Sequence, residues 1–394
     1  MSDETFVPFH RPSIGQEEFD AVRRVLNSHW LTTGPAVQQF EREFAAYIGC
    51  KHALAVTSAT AALQLALDAI GLREGDEVLI PTYTFASTGE VVTYFGARPV
   101  LCESIPGGFN IDPNDVEARI TAKTRAIIPV HISGEPCDLD AIHSIAKRHH
   151  LHVIEDAAHS LPAAFQGRRI GTISELTAFS FYATKTITTG EGGMIVTDYD
   201  DFAARITRMR LHGISGDAWK RYSKEGSWYY EILAPGFKAN MCDLLAALGS
   251  AQLAKCDHFA QRRRSIAESY YRAFAGMEEL QLPSMPRKGT EHAWHLFILR
   301  IRPEMLSIHR NEFVEQLKKK GIGTSVHFIP LHLHPFYKSA YGYASGDFPN
   351  AEESYSRCLS IPIFPDMSES ELNRVVRSVS DVICEHRKPL SMAA

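Results

Sequence analysis

ALAVTSATAALQLALDAIGL, residues 53–72, holds a complete strand, turn and helix. The aliphatic run 53–56 is too short for a helix and suits a buried strand. TSAT (57–60) turns the chain, and Leu63, Leu67 and Ile70 then recur at helical spacing until Gly71 stops the helix. A strand that feeds directly into a helix is half of a β-α-β unit, so the pattern asks for further strands. EVLIP (77–81), RPVLC (98–102), RAIIPVHI (125–132) and LHVIEDAA (151–158) supply them, with DPNDVEARI and DLDAIHSIAKRHH as helices between. The rhythm predicts an α/β fold with a mainly parallel central sheet covered by helices on both faces. In such sheets ligands gather beyond the carboxyl ends of the strands.

After about residue 250 the rhythm weakens. QLAKCDHFAQRRRSIAESYYRAFAGM reads as one long amphipathic helix, AWHLFILRI as a strand, and HRNEFVEQLKKKGI as a helix ending at Gly321. At 394 residues the chain exceeds one typical core. The expected division is a large domain over 14–252 and a smaller C-terminal α+β domain over 253–394, with segment 1–13 packing against the fold.

Apolar residues make up 45% and charged residues 22% of the chain, and the formal charge is −5 with no long run of one sign. That balance argues against nucleic acid or an anionic membrane as partner, while leaving room for a local basic pocket. The seven cysteines are scattered, odd in number and free of any C-x-x-C pair, which speaks against a disulfide framework or a zinc knuckle. MSDETFVPFHRP carries acidic residues where a signal peptide is basic, and no apolar run reaches membrane-spanning length. A cytoplasmic protein without membrane insertion is expected.

Three features lie at strand ends, where the chain leaves the sheet. TSAT opens a helix, whose first free N–H groups suit a phosphate; plain N-capping by Thr57 or Ser58 explains the same residues. Asp156, in VIEDAAHS, ends an apolar strand, where a carboxylate needs a cationic or hydrogen-bonding partner. Glu155 alternates to the other face, and either acid could cap the following turn. Lys185, in SFYATKTITTGEGG (180–193), follows an apolar strand and leads into a glycine-rich turn. A surface lysine with its stem on the core is the common case, but a partly desolvated amine becomes a nucleophile toward a carbonyl. Anion cradle, buried carboxylate and activated amine are together what pyridoxal phosphate requires.

His327, His332 and His334 in VHFIPLHLHPF could suggest a metal site, but no acid or cysteine nearby completes a ligand set. They read instead as the rim of a substrate pocket, and no metal is expected. Trp294, Trp228, Tyr229 and Tyr230 read as core or interface residues.

SFYATKTITTGEGG, VIEDAAHS, EGDEVLIPTYTFAST (74–88), KTRAIIPVHISGEPCDLDAI (123–142), RRIGTISELTAFSF (168–181) and RMRLHGI (208–214) resemble the DegT/DnrJ/EryC1/StrS family. These are nucleotide-sugar aminotransferases of the aspartate-aminotransferase fold, type I of the pyridoxal-phosphate enzymes, and the similarity runs from about residue 8 to about residue 380. The resemblance implies that Lys185 holds the cofactor covalently, Asp156 partners its ring nitrogen, His159 lies close to the ring, and Phe85 stacks on it. It implies a phosphate seat at Ser58, Ala59, Thr60 and Ser180, completed by a loop of a second subunit. That loop here is PGFKANM (235–241), with Lys238 and Asn240 where many members have Asn and Arg.

WLTTGP (30–35), HAWHLFILRI (292–301) and GIGTSVHF (321–328) are most similar to the family's enzymes that convert UDP-4-keto-pentose to UDP-4-amino-4-deoxy-L-arabinose, whereas FIPLHLHPFY follows the wider family. The implied activity is transfer of the amino group of L-glutamate, leaving 2-oxoglutarate, to a nucleotide-linked keto-sugar in lipopolysaccharide or polysaccharide biosynthesis. Thr32, Gly34, His327 and His332 are the expected sugar contacts. A homodimer sharing its sites is implied. Other nucleotide 4-keto- or 3-keto-6-deoxyhexoses are alternative substrates, and a non-catalytic cofactor-binding regulator is the alternative class. Sugar dehydratases of the same fold carry histidine where Lys185 stands.

Overall fold

The computed structural model describes residues 6–215 and 229–389. Its centre is a seven-stranded sheet of order β1-β9-β8-β5-β4-β2-β3. These strands are β1 (His52–Val56), β2 (Glu77–Pro81), β3 (Arg98–Cys102), β4 (Thr124–Ile127), β5 (His152–Asp156), β8 (Leu176–Ser180) and β9 (Gly193–Thr197). Between β5 and β8 lies a small antiparallel pair, β6 (Ala164–Phe165) and β7 (Arg168–Arg169). Only β9 opposes its neighbours in the large sheet, so β1, β2, β3, β4, β5 and β8 end on one edge.

Alternation along β1 shows why both faces are covered. Leu54 and Val56 enter one apolar core, which includes the helix Ala59–Ala69, while Ala53 and Ala55 enter another beneath the helices Pro35–Ile48 and Leu139–His149. The first helix is buried nearly all round, and Gly71, at φ +73°, lies just beyond its end. In the second core Phe179 and Phe181 of the β8 segment pack on Phe44 at centroid distances of 5.3 and 5.5 Å. This anchoring turns the intervening Ser180 toward the opposite side of the sheet.

A third core surrounds the three-stranded antiparallel sheet of β10 (Leu280–Gln281), β11 (Phe297–Ile301) and β12 (Cys358–Ile361). The helices Cys256–Phe274, Arg310–Lys319 and Glu369–His386 contribute to it. Val7 joins the same core, and its backbone pairs with Gly321 and Gly323 at 2.9 and 2.8 Å. Trp294 is buried there, whereas Tyr229 and Tyr230 are exposed and Trp228 lies outside the described residues.

Two expectations need correction. The long helix divides: Gln252 and Leu253 close the helix Asp243–Leu253, and the next begins at Cys256. Ala254 and Lys255 keep right-handed helical dihedrals across the junction, so the apolar periodicity runs on without a signal of the break. The strand foreseen over 125–132 spans only Thr124–Ile127, because Pro129 offers no ladder N–H and the chain then enters a single 3-10 turn at Ile132–Gly134. No helix among the described residues is long and apolar enough to cross a membrane.

Candidate active site

Beyond the carboxyl ends of β1, β8, β5 and β2 lies a cavity of about 500 Å³. Nine residues singled out in the sequence line it together: Ser58, Ala59, Thr60, Phe85, Asp156, His159, Ser180, Lys185 and His327. At its β1 end the Ser58 hydroxyl accepts the Ala61 N–H at 3.1 Å, so Ser58 does cap its helix. Capping leaves the earlier N–H groups, those of Ala59 and Thr60, at the open positive end of the helix. A Cβ on Gly193 would lie 2.5–2.7 Å from the backbone of Ser58 and Ala59. The glycine of the GEGG turn is therefore what lets β9 pass so close beneath this cradle.

Asp156 is 4% exposed and caps the following turn, with Oδ1 accepting the Ala158 N–H at 3.2 Å. Its Oδ2 accepts the Thr88 hydroxyl at 2.9 Å. Burial pushes the carboxyl above its ordinary value; the Ala158 N–H, the Thr88 hydroxyl, and then Lys185 and His131 pull it back. Lys185 stands in the turn after β8, its N–H donating to the Tyr182 carbonyl at 2.9 Å. Desolvation lowers its amine to about 8, against the opposing pull of Asp156. Near neutrality a useful fraction of that amine is unprotonated, which an exposed lysine does not offer.

His159 and His295 lie with ring centroids 4.4 Å apart, and each has a buried Nδ1 that meets no partner among the described residues. Burial holds both imidazoles well below their ordinary values. His327 bonds Ser360 through Nδ1 at 2.9 Å, and Phe328 packs on both Phe85 and His159.

Five expected site residues do not line this cavity. His332 is a correction: fully buried, it gives Nδ1 to Thr82 at 2.7 Å and Nε2 to Glu352 at 3.0 Å, so neither ring nitrogen is left for a sugar. Lys238, Asn240, Thr32 and Gly34 lie around the start of the helix Pro35–Ile48. The Lys238 amine meets the Asn240 side chain, Asn240 donates to the Thr33 hydroxyl at 2.6 Å, and Gly34 donates to Asp243 at 2.7 Å. Conversely, Thr84, Thr88, His295 and Phe328 belong to the site although the sequence did not single them out. Thr84 and Thr88 are four apart in PTYTFAST, a spacing that puts both hydroxyls on one side of an incipient helix. Among the described residues no group of three or more His, Cys, Asp or Glu side chains is arranged to hold a metal.

The fold is that of the type I pyridoxal-phosphate transferases, and a desolvated amine and a desolvated carboxylate face one of its cavities, with a helix N-terminus at the end. The chain belongs to the DegT/DnrJ/EryC1/StrS aminotransferase family, whose model matches residues 12–380. It is 50% identical over 387 residues to the uncharacterized protein MJ1066 of Methanocaldococcus jannaschii, covering 98% of this chain and 100% of that one. It is 48% identical over 379 residues to the spore coat polysaccharide biosynthesis protein SpsC of Bacillus subtilis, covering 96% and 97%. Spr1654 of Streptococcus pneumoniae, described as a sugar aminotransferase and solved in PLP and PMP forms, superposes with a TM-score of 0.90 at 31% identity over 96% of this chain and 99% of that one. Pyridoxal phosphate is the cofactor of this family, and the donors here fit it: an anion cradle, an acid for the ring nitrogen, an amine for the aldehyde and a buried imidazole with an unmet nitrogen.

Proposed function

We propose that the protein is a pyridoxal-phosphate aminotransferase that moves the amino group of L-glutamate to a keto-sugar carried on a nucleoside diphosphate. The observation that carries this reading is the Lys185–Asp156 pairing across one desolvated cavity. The cofactor, when bound, supplies the electron sink for breaking a bond at the amino acid's α carbon. Ala59 and Thr60 N–H groups, with the Ser58 and Ser180 hydroxyls, would hold its phosphate, and Phe85 and His159, which line the same cavity, would hold its ring. Asp156 would keep a proton on the ring nitrogen by offering it a buried negative partner. Lys185 Nζ would be the amine that holds the aldehyde and, when free, the base placed to move a proton at the donor's α carbon. Both half-reactions use the same amine, so glutamate and the keto-sugar must enter the same cavity in turn.

The patch of Lys238, Asn240, Thr32 and Gly34 serves the cavity of a second copy in a homodimer, because its contacts in its own chain lie outside the cavity. His327 contacts the sugar. Among keto-sugars, UDP-4-keto-pentose giving UDP-4-amino-4-deoxy-L-arabinose is the first candidate, from the motifs WLTTGP and HAWHLF. Likeness to a spore coat polysaccharide biosynthesis protein supports a product destined for polysaccharide and keeps other nucleotide keto-hexoses as the second candidates. Protein purified with the cofactor should absorb in the visible, lose that band on addition of glutamate, and regain it with the correct keto-sugar from a UDP-, dTDP- and GDP-linked panel. Absence of the glutamate response would leave a cofactor-binding regulator instead; a winner other than the UDP-ketopentose would change the substrate and leave the mechanism.

A further inference from the structure

Behind Asp156 runs a short chain of hydroxyls that the catalytic assignment does not use. Thr88 Oγ1 donates to Asp156 Oδ2 at 2.9 Å, and Thr84 Oγ1 lies 2.9 Å from Thr88 Oγ1. Thr84 is 1% exposed and Thr88 fully buried. A hydroxyl has one hydrogen to give. While Asp156 is ionised it can only accept, so the single hydrogen of Thr88 is committed to it, and Thr84 must be the donor to Thr88. The chain then points one way, Thr84 to Thr88 to Asp156. If Asp156 took a proton on Oδ2 and gave it to Thr88, the Thr88 hydrogen would have to turn away from the acid. Local structure fixes the arrangement: Phe85 sits at the N-cap of the helix Ala86–Thr93, which leaves Thr84 just before the helix and Thr88 in its first turn.

We propose that Thr88, backed by Thr84, is a positioning residue that aims Asp156 Oδ2 and holds the carboxylate in its charged form. The inference rests on the role given to Asp156 above but is measurable without it. A hydrogen bond to a buried charged group is stronger than one between neutral groups, and its removal leaves the charge under-solvated. The other titratable groups that bear on Asp156 are Lys185, in the turn after β8, and His131, after β4. Neither hydrogen-bonds its carboxylate among the described contacts, whereas Thr88 does. An ionised acid at this place is what a protonated ring nitrogen requires, so losing the hydroxyl should weaken the hold on the cofactor as well as shift the acid.

The test compares Thr88→Val, Thr88→Ser and Thr84→Val in full-length protein, first freed of cofactor and then reloaded. Without cofactor, the titration of Asp156 is followed by infrared difference spectroscopy or carbon NMR of labelled aspartate, with Asp156→Asn identifying its signal. Thr88→Val is expected to raise the midpoint by about one pH unit or more, equivalent to about a tenfold change in proton affinity. Thr88→Ser should restore the native midpoint, and Thr84→Val should shift it in the same direction by less. On reloading, Thr88→Val should bind pyridoxal phosphate roughly tenfold more weakly, with Thr88→Ser rescued. An unmoved midpoint in Thr88→Val, or a serine variant as displaced as the valine variant, would overturn the proposal. Should Thr88→Val not fold, an unmoved midpoint in Thr84→Val would do the same. A wild-type protein that never takes up pyridoxal phosphate would sink the aminotransferase assignment while leaving the Asp156 titration to decide this one.

Discussion

Strand β5 ends in two adjacent acids, and the two faces of the sheet treat them differently. Glu155, fully buried on the face under the helix Leu139–His149, meets His131 Nε2 at 2.8 Å and the Ser174 N–H at 3.1 Å, with the Thr177 hydroxyl at 3.4 Å. The Cys137 N–H donates to His131 Nδ1 at 3.0 Å, so the proton of that ring stands on Nε2 and faces the carboxylate. Burial opposes the charge of Glu155, but the His131 and Ser174 bonds hold its carboxyl below the ordinary value. Asp156, on the opposite face, has fewer donors, is pushed above its ordinary value, and opens with Lys185 on a cavity. One acid has its acceptors filled by the fold, and the other keeps capacity for a further partner.

Lys185→Ala should separate the two faces of the sheet most sharply. On the cavity side the change should abolish covalent cofactor capture and lower turnover by at least ~10⁴-fold, as loss of a nucleophile does. The thermal midpoint should stay close to native, because no hydrogen bond or ion pair of the fold depends on the Lys185 amine among the described contacts. Absorbance spectra and calorimetry on the same sample check both halves. In the native protein the sign of the pH effect follows from the lowered amine: capture of pyridoxal phosphate by cofactor-free protein should quicken as pH rises and level off above about 8. A midpoint near 10, as for an exposed lysine, would show that the cavity does not desolvate the amine.

Asp156→Asn comes next. It should cost ~10²–10³-fold in turnover, the range for losing one preorganised electrostatic partner. Stability should hold or rise, since a buried charge with few donors is replaced by a neutral group of the same shape. Glu155→Ala should give the reverse pattern. It leaves the His131 N–H buried and unpaired and should lower unfolding stability by about 3 kcal/mol, while the visible spectrum of the bound cofactor stays unchanged. Urea unfolding alongside spectra separates the two variants. If both lost activity and neither lost stability, the division of labour across β5 would be wrong.

Much of this was legible in the sequence because it depends on short-range periodicity. Strand alternation alone separates Glu155 from Asp156, and the repeated strand-then-helix pattern places residues 58, 156 and 185 on one edge before any contact is known. The features that escaped depend on direction or on long separations. GMIVT reads as a strand equally well parallel or antiparallel, so the reversal of β9 leaves no mark in the pattern. Thr88 reaches Asp156 across 68 positions and His332 reaches Thr82 across 250, bonds that no local spacing records. His332 shows the cost of reading a residue type without its surroundings: in VHFIPLHLHPF it looks like its neighbour His327, yet one fills both nitrogens inside the protein and the other lines the cavity.

Outside the core, where partners are filled but water is near, the change should be slight. His152, at the opposite end of β5 from the acids, bonds Glu175 at 2.8 Å with both side chains about a third exposed. The Glu175 bond raises the imidazole above its ordinary 6.5, against partial desolvation. A group whose folded value is raised binds its proton more tightly when folded, so its stabilisation is fully present below about pH 6.5 and disappears as pH climbs through the raised value. Solvent screening limits the contribution to under ~1 kcal/mol. Urea midpoints of native and Glu175→Gln protein should therefore differ slightly at pH 6 and coincide by pH 9, with the gap narrowing in high salt. A gap that persisted at pH 9 would mean that Glu175 acts through something other than the charge on His152, and that filled acceptors stabilise as much at the surface as they do around Glu155.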